Sequence, residues 1–224
     1  MGSDPIFRIE LGVRLRVPDV VAITARRTLW RRMGYEGVLA ELGREEYWSI
    51  WFELGGIDEA QEIGRYLAEK SNIFVNPNKH RYRINIGEGG WDPSIPISQL
   101  DFPLVEKGIG KGSGDLHQVA ILVGYWEDGT AELVANTLRK RLGYGDKVKA
   151  ILRASLWTAL IRASSPEEAI GIAEKITLLK DKEEGLLCNP HSQWYKLLSL
   201  GSPITGAHKG REVSGCSARI SWPG

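Results

Sequence analysis

The chain repeats itself. Residues 28–35 read TLWRRMGY and residues 137–144 read TLRKRLGY, so Thr28, Leu29, Arg32, Gly34 and Tyr35 recur as Thr137, Leu138, Arg141, Gly143 and Tyr144, an offset of 109. The same offset carries Glu59-Ala60 onto Glu168-Ala169 and Ile63 onto Ile172. FVNPNKHRYRI (74–84) then faces LCNPHSQWYKL (187–197), with Asn76-Pro77 on Asn189-Pro190 and Tyr82 on Tyr195. The offset there is 113, which places a small insertion in the second copy near Lys180–Glu184. Order and spacing are both kept, so the fold must be one that can be built twice.

Periodicity gives each copy the same layout. Phe7, Ile9, Leu11, Val13 and Leu15 alternate with polar residues as a half-buried strand does, and Val119, Ile121, Val123 and Tyr125 repeat the pattern. A helix follows, with Ala22, Ala25, Leu29 and Met33 on one stripe and Ala131, Val134, Leu138 and Leu142 as their equivalents. Gly34 and Gly143 stand where a left-handed glycine ends a helix. Two strands are expected next, at 37–42 with 46–54 and at 148–153 with 156–163. A second helix is expected at 57–71 and 166–180, the latter capped by Ser165 with Pro166 in its first turn. A short strand after each Asn-Pro turn closes the unit. The expected fold class is α+β: two βαββα(β) units with antiparallel sheets, helices on one face, forming a pseudo-dimer.

The units span 1–86 and 116–198. The Gly- and Pro-rich stretch 87–115 reads as a linker, and 199–224 as a C-terminal tail. A unit of about 80 residues has a thin core, so the copies should cover each other. Of the aromatic residues Trp48, Trp51, Trp157 and Trp194, at least Trp48 or Trp51, and Trp157, are expected to be buried, in part by that contact. Two cysteines, Cys188 and Cys216, make no disulfide framework, the first residues lack a signal-peptide core, and no apolar run is long enough to span a bilayer. A cytoplasmic, non-membrane protein is expected.

With these residues in view, each copy resembles the PurS family, the small subunit of phosphoribosylformylglycinamidine (FGAM) synthase in purine biosynthesis. The resemblance rests on the helix ends RRMGY and KRLGY, the acidic-Ala start of the second helix, and the closing IFVNPNKHRYRI and LLCNPHSQWYKLL, similar to the family's "LLANP…Y" ending. It marks Gly34, Tyr35, Asn76, Pro77, Tyr82, Gly143, Tyr144, Asn189, Pro190 and Tyr195 as structural motif residues. PurS is usually a single short unit that pairs with itself; the tandem resembles that dimer, and also the N-terminal region of the large single-chain synthases. The resemblance implies a non-catalytic subunit bridging a PurL-type synthetase and a PurQ-type glutaminase, with no catalytic residue and no cofactor of its own. Further self-association is left open.

The residues' own chemistry is sparse. Cys188, His191, His208 and Cys216 match no standard zinc spacing, and Cys188 in the run LLC reads as a buried thiol rather than a nucleophile. KGIGKGSGD (107–115) fails the phosphate-loop pattern because Gly112 follows Lys111. Arg8, Arg14, Arg16, Arg26, Arg27, Arg31 and Arg32 concentrate positive charge, although the net charge is only +1. Of these, Arg26, Arg27, Arg31 and Arg32 form the candidate partner- or anion-binding face, Arg27 and Arg31 being one turn apart. The alternative function is an anion- or RNA-binding module using that face. Tyr47, Trp48 and Trp51 lack an RNP-type run, and a strand apolar on both sides is better explained by burial.

Overall fold

A computed structural model describes residues 4–89, 100–107, 115–180 and 184–199. In the first half, β1 (Ile6–Leu15), α1 (Val20–Met33), β2 (Leu39–Glu53), α2 (Ile57–Glu69) and β3 (His80–Glu88) follow in order. After a short α3 (Pro103–Lys107), the second half repeats them as β4 (Leu116–Tyr125), α4 (Gly129–Asn136, continued by a π-turn over Thr137–Arg141), β5 (Val148–Arg162), α5 (Pro166–Thr177) and β6 (Gln193–Ser199). All six strands join one antiparallel sheet, ordered β3-β1-β2-β5-β4-β6. The class is α+β. No helix among the described residues is long and apolar enough to cross a membrane.

The expected strand pairs at 37–42 with 46–54 and at 148–153 with 156–163 are instead single 15-residue strands, so each half is β-α-β-α-β rather than βαββα(β). The polar run Gly43–Glu46, which reads as a turn, passes straight through the sheet. It can do so because β2 pairs with β5 of the other half along its whole length. Side chains distant in sequence neutralise its charges: Asp19 meets Arg44, Arg83 meets Glu45 and Arg153 meets Glu46. The β2–β5 ladder carries two irregularities, one extra residue at Ala40 and one at Lys149. These two positions are again 109 apart.

The four long helices cover one face, where two apolar clusters form, and each cluster draws on both halves. Ala22, Ala25 and Leu29 of α1 pack with Val119, Ile121, Trp157, Ile161, Ala169 and Ile176 of the second half. Ala131, Ala135 and Leu138 of α4 pack with Phe7, Ile9, Trp48, Ile50, Ile63 and Leu67 of the first. The first helix of each half is thus exchanged in part, packing on the other half and also on its own long strand, at Leu39 and Leu42 for α1 and at Val148 and Ile151 for α4. Leu29 and Leu138, equivalents in the repeat, are both fully buried, each in the core completed by the opposite half.

Local signals work as their chemistry demands. Gly34 (φ 74°) and Gly143 (φ 77°) adopt the left-handed conformation after their helices. Asp19 and Asp128 cap α1 and α4, each carboxylate accepting two backbone N–H groups. Glu59 and Glu168 close the start of the second helix in each half by accepting from the N–H of Gly55 and Ser164. The Asn-Pro turns are alike: Asn76 Oδ1 accepts from the N–H of Asn78, and Asn189 Oδ1 from that of His191.

The opposite face of the sheet is not left to the sister unit, as the apolar residues on both sides of β2 suggest. Residues 100–107, within the stretch expected as a linker, pack on it, burying Leu100, Phe102, Leu104 and Val105 against Tyr47, Trp51 and Trp194. α3 is therefore the one described helix not on the four-helix face. Arg83 of β3 donates to Leu104 O, and its counterpart Lys196 of β6 donates to Leu100 O. Because β3 and β6 are the two sheet edges, the chain leaves β3, reaches the β6 side at Leu100 and returns to the β3 side at Leu104 before starting β4.

Candidate functional site

The arginines singled out in the sequence separate into three environments. Arg8 is buried on the face opposite the long helices, with a guanidinium N–H donating at 3.0 Å to both the carbonyl and the carboxylate of Asp101. Arg26 is half-buried and stacks over Trp30, 4.7 Å from the ring centroid. Arg27, Arg31 and Arg32 are exposed on the outer side of α1. With Thr24 and Thr28 they line a shallow surface depression. Trp30 itself is engaged, its indole N–H donating to Leu39 O at 2.6 Å. Its equivalent Arg139 makes the same bond to the equivalent carbonyl, Val148 O, at 3.0 Å. The two halves keep one contact with different side chains.

A second set of residues escapes a motif reading. Asp19 Oδ2 accepts from Arg44 Nε at 2.8 Å, and that guanidinium lies 5.9 Å from the Trp157 ring. On the other side Asp128 meets Arg153, whose guanidinium lies 5.7 Å from the Trp48 ring. These are the same triad built twice, each with two members from one half and a tryptophan from the other. The signal was present in the sequence, since Asp19, Arg44 and Trp48 recur as Asp128, Arg153 and Trp157 at the same offset. Trp48 and Trp157 are buried, as are Trp51 and Trp194.

On the opposite face the halves differ. Glu10 is fully buried, and its carboxylate accepts from the Tyr47 hydroxyl (2.5 Å), the Asn85 amide (2.8 Å) and the N–H of Leu104 (3.2 Å). Burial first, and then the adjoining Glu10 charge, push the Tyr47 phenol well above its ordinary range. Gly12 leaves the space in which Arg83 and Glu45 meet, because a Cβ there would lie 2.9 Å from the Glu45 carboxylate. Strand registers place Ala120, Leu156 and Leu198 at the positions corresponding to Glu10, Tyr47 and Asn85. The fold can thus fill these positions with apolar side chains, and the first half spends a buried carboxylate on holding residues 100–107.

The remaining candidates resolve simply. Cys188 is buried, and desolvation pushes its thiol up to about 11, the reverse of an activated nucleophile. His191 is exposed, and no cluster of three His, Cys, Asp or Glu suited to a metal occurs among the described residues. His208, Cys216 and the glycines of 108–114 lie outside the described residues. Of the motif tyrosines, Tyr144 sits edge-on to Phe52 of the first half at 5.4 Å, and Tyr82 donates to Glu69 at 2.8 Å. Tyr35 and Tyr195 pack half-buried on the second-half core. Pro77 and Pro190 occupy equivalent exposed turns.

Fold and site together define a class: an α+β protein in which two repeated halves share one antiparallel sheet and exchange their first helices. Compared with known proteins, the chain matches no family model, no curated protein and no solved structure.

Proposed function

We propose that the chain is a non-catalytic assembly subunit that acts as a covalent counterpart of a PurS dimer, bridging a PurL-type synthetase and a PurQ-type glutaminase. One observation carries this reading: the ordered motif set that resembles PurS occurs twice, at equivalent positions of two halves that complete each other's cores. Two copies of a unit that normally self-associates would be joined in this way. The exposed guanidiniums of α1 also favour a surface that meets acidic groups. Base stacking finds less support, because Trp30, Tyr47 and Trp51 are already packed against other side chains. The reading is tested by adding the purified chain to a synthetase and a glutaminase from the same source. Glutamine-driven FGAM formation should rise while ammonia-driven formation stays unchanged. No stimulation, and no stable complex with either enzyme, would overturn it.

A further inference from the structure

Folding accounts for only part of the charge on α1. Arg31 and Arg32 lie in its last turn, where the helix dipole favours cations, and the second half repeats them as Lys140 and Arg141. Arg27 has no such reason to be there. It stands exposed in mid-helix, one turn before Arg31, and like charges so spaced weaken a helix. Its equivalent is Asn136, and Thr24 is matched by Leu133, so the scaffold folds without this arrangement. α1 contains no acidic residue at all. Among the described residues Arg27, Arg31 and Arg32 make no ion pair, whereas Arg8, Arg44, Arg83, Arg153 and Arg162 each have a carboxylate.

We infer that the Thr24–Arg27–Thr28–Arg31 stripe of α1 is a docking surface for an acidic helix of a partner protein. On the reading above, it is the surface by which the subunit grips one of the two enzymes it joins. Arg27 and Arg31 are about 6 Å apart along the helix axis. Carboxylates one turn apart on an opposing helix have the same spacing and can accept bidentate bonds from both guanidiniums. A nucleic acid fits less well: the whole chain has a net charge of only +1, and the ring beside the stripe is already capped by Arg26. Since the second half lacks the arginine pair, the helix docks on one side of the pseudo-two-fold only, one partner per chain.

The test uses the full chain, its Arg27→Glu/Arg31→Glu variant and, as a control on the other half, Lys140→Glu/Arg141→Glu. Binding to the purified synthetase and glutaminase is measured by calorimetry at two salt concentrations. The first variant should bind one enzyme at least about tenfold more weakly, with a melting temperature lowered no further than that of the control, while the control's affinity stays within about threefold. Unchanged affinity for both enzymes overturns the docking inference and leaves the bridging reading standing. If the unaltered chain binds neither enzyme, the bridging reading falls. The stripe is then judged with a synthetic helical peptide carrying glutamates one turn apart and with a single-stranded oligoribonucleotide. Peptide binding that the Arg27/Arg31 reversal abolishes supports the inference; binding of RNA alone, or of neither probe, overturns it.

Discussion

Glu46 and Ser155 face each other across the β2–β5 ladder, and they are also each other's counterparts in the repeat. The pseudo-two-fold axis therefore passes between them. Flanking them at equal steps are Arg44 opposite Trp157 and Arg153 opposite Trp48. At this pair the symmetry fails in charge, because Glu46 binds Arg153 at 2.8 Å and Ser155 has no carboxylate to give Arg44.

That difference predicts unequal effects from equivalent changes. Arg153 holds both Glu46 and Asp128, whereas Arg44 holds Asp19. Arg153→Ala should destabilise the protein more than Arg44→Ala, by about 0.5–1 kcal/mol for the additional half-exposed pair. Urea denaturation of the two variants measures the gap, and equal losses would contradict the asymmetry.

Trp157→Ala and Trp48→Ala should each cost about 3–5 kcal/mol, since both rings are buried beneath a guanidinium of the other half. The same dependence makes residues 1–107 and 115–199, expressed separately, prone to aggregate or self-associate, and mixing them during refolding should recover the native sheet. A first half that stays monomeric and unfolds cooperatively by itself would show that the exchanged helices are dispensable.

Glu10→Ala should be severe. It leaves the Tyr47 hydroxyl, the Asn85 amide and the Leu104 N–H without their acceptor, at about 1–3 kcal/mol for each buried group not rescued by water. Introducing the second half's residues together, as Glu10→Ala, Tyr47→Leu and Asn85→Leu, should cost less than the three single changes added up. Hydrogen exchange at Leu104 offers a local readout, and it should accelerate in the single variant. Strict additivity across the set would mean that the three side chains do not act as a unit.

Acid should weaken the protein through a repeated pair of carboxylates. The Glu59 carboxyl is held below its ordinary value of 4.5, chiefly by the hydrogen bond from Lys147 of the other half and then by the Gly55 N–H. Glu168 is held low by the Ser164 hydroxyl and N–H. A carboxylate with a lowered folded-state pKa stabilises fully above its unfolded value and loses that contribution as pH falls through the folded one. Stability should therefore decline below about pH 4.5, and a Glu59→Gln/Glu168→Gln variant should show a shallower decline there. Both groups are exposed, so the change is small and needs melting curves at closely spaced pH values.

Much of the fold is legible in the sequence wherever one residue settles the geometry. Gly34 and Gly143 end helices because the left-handed conformation excludes most side chains, and Ser165-Pro166 starts α5 for equally local reasons. The unbroken course of β2 is not legible, because Arg44, Glu45 and Glu46 resemble a turn until Asp19, Arg83 and Arg153 are brought beside them. Nor is the exchange of helices, since Ala22, Ala25 and Leu29 have the same spacing whichever half they cover. At the candidate site, the one-turn spacing of Arg27 and Arg31 can be read directly. The sequestering of Arg8 beneath Asp101 and the service of Glu10 to residues 100–107 depend on a segment with no periodicity to announce it.

The exchanged helices also set an order of events during synthesis. When the first half leaves the ribosome, Ala22, Ala25 and Leu29 have only Leu39 and Leu42 of their own long strand to cover, because the rest of their cluster lies in the second half and extends beyond Ile176. At about 5–20 residues per second, the chain between residue 89 and Ile176 takes roughly 4–17 seconds to appear. For that interval the nascent protein carries an apolar stripe beside four arginines. Neighbouring ribosomes on one message would then hold matching unfinished halves close together, and the joining segment gives each half a tethered partner of its own before a stranger's can displace it.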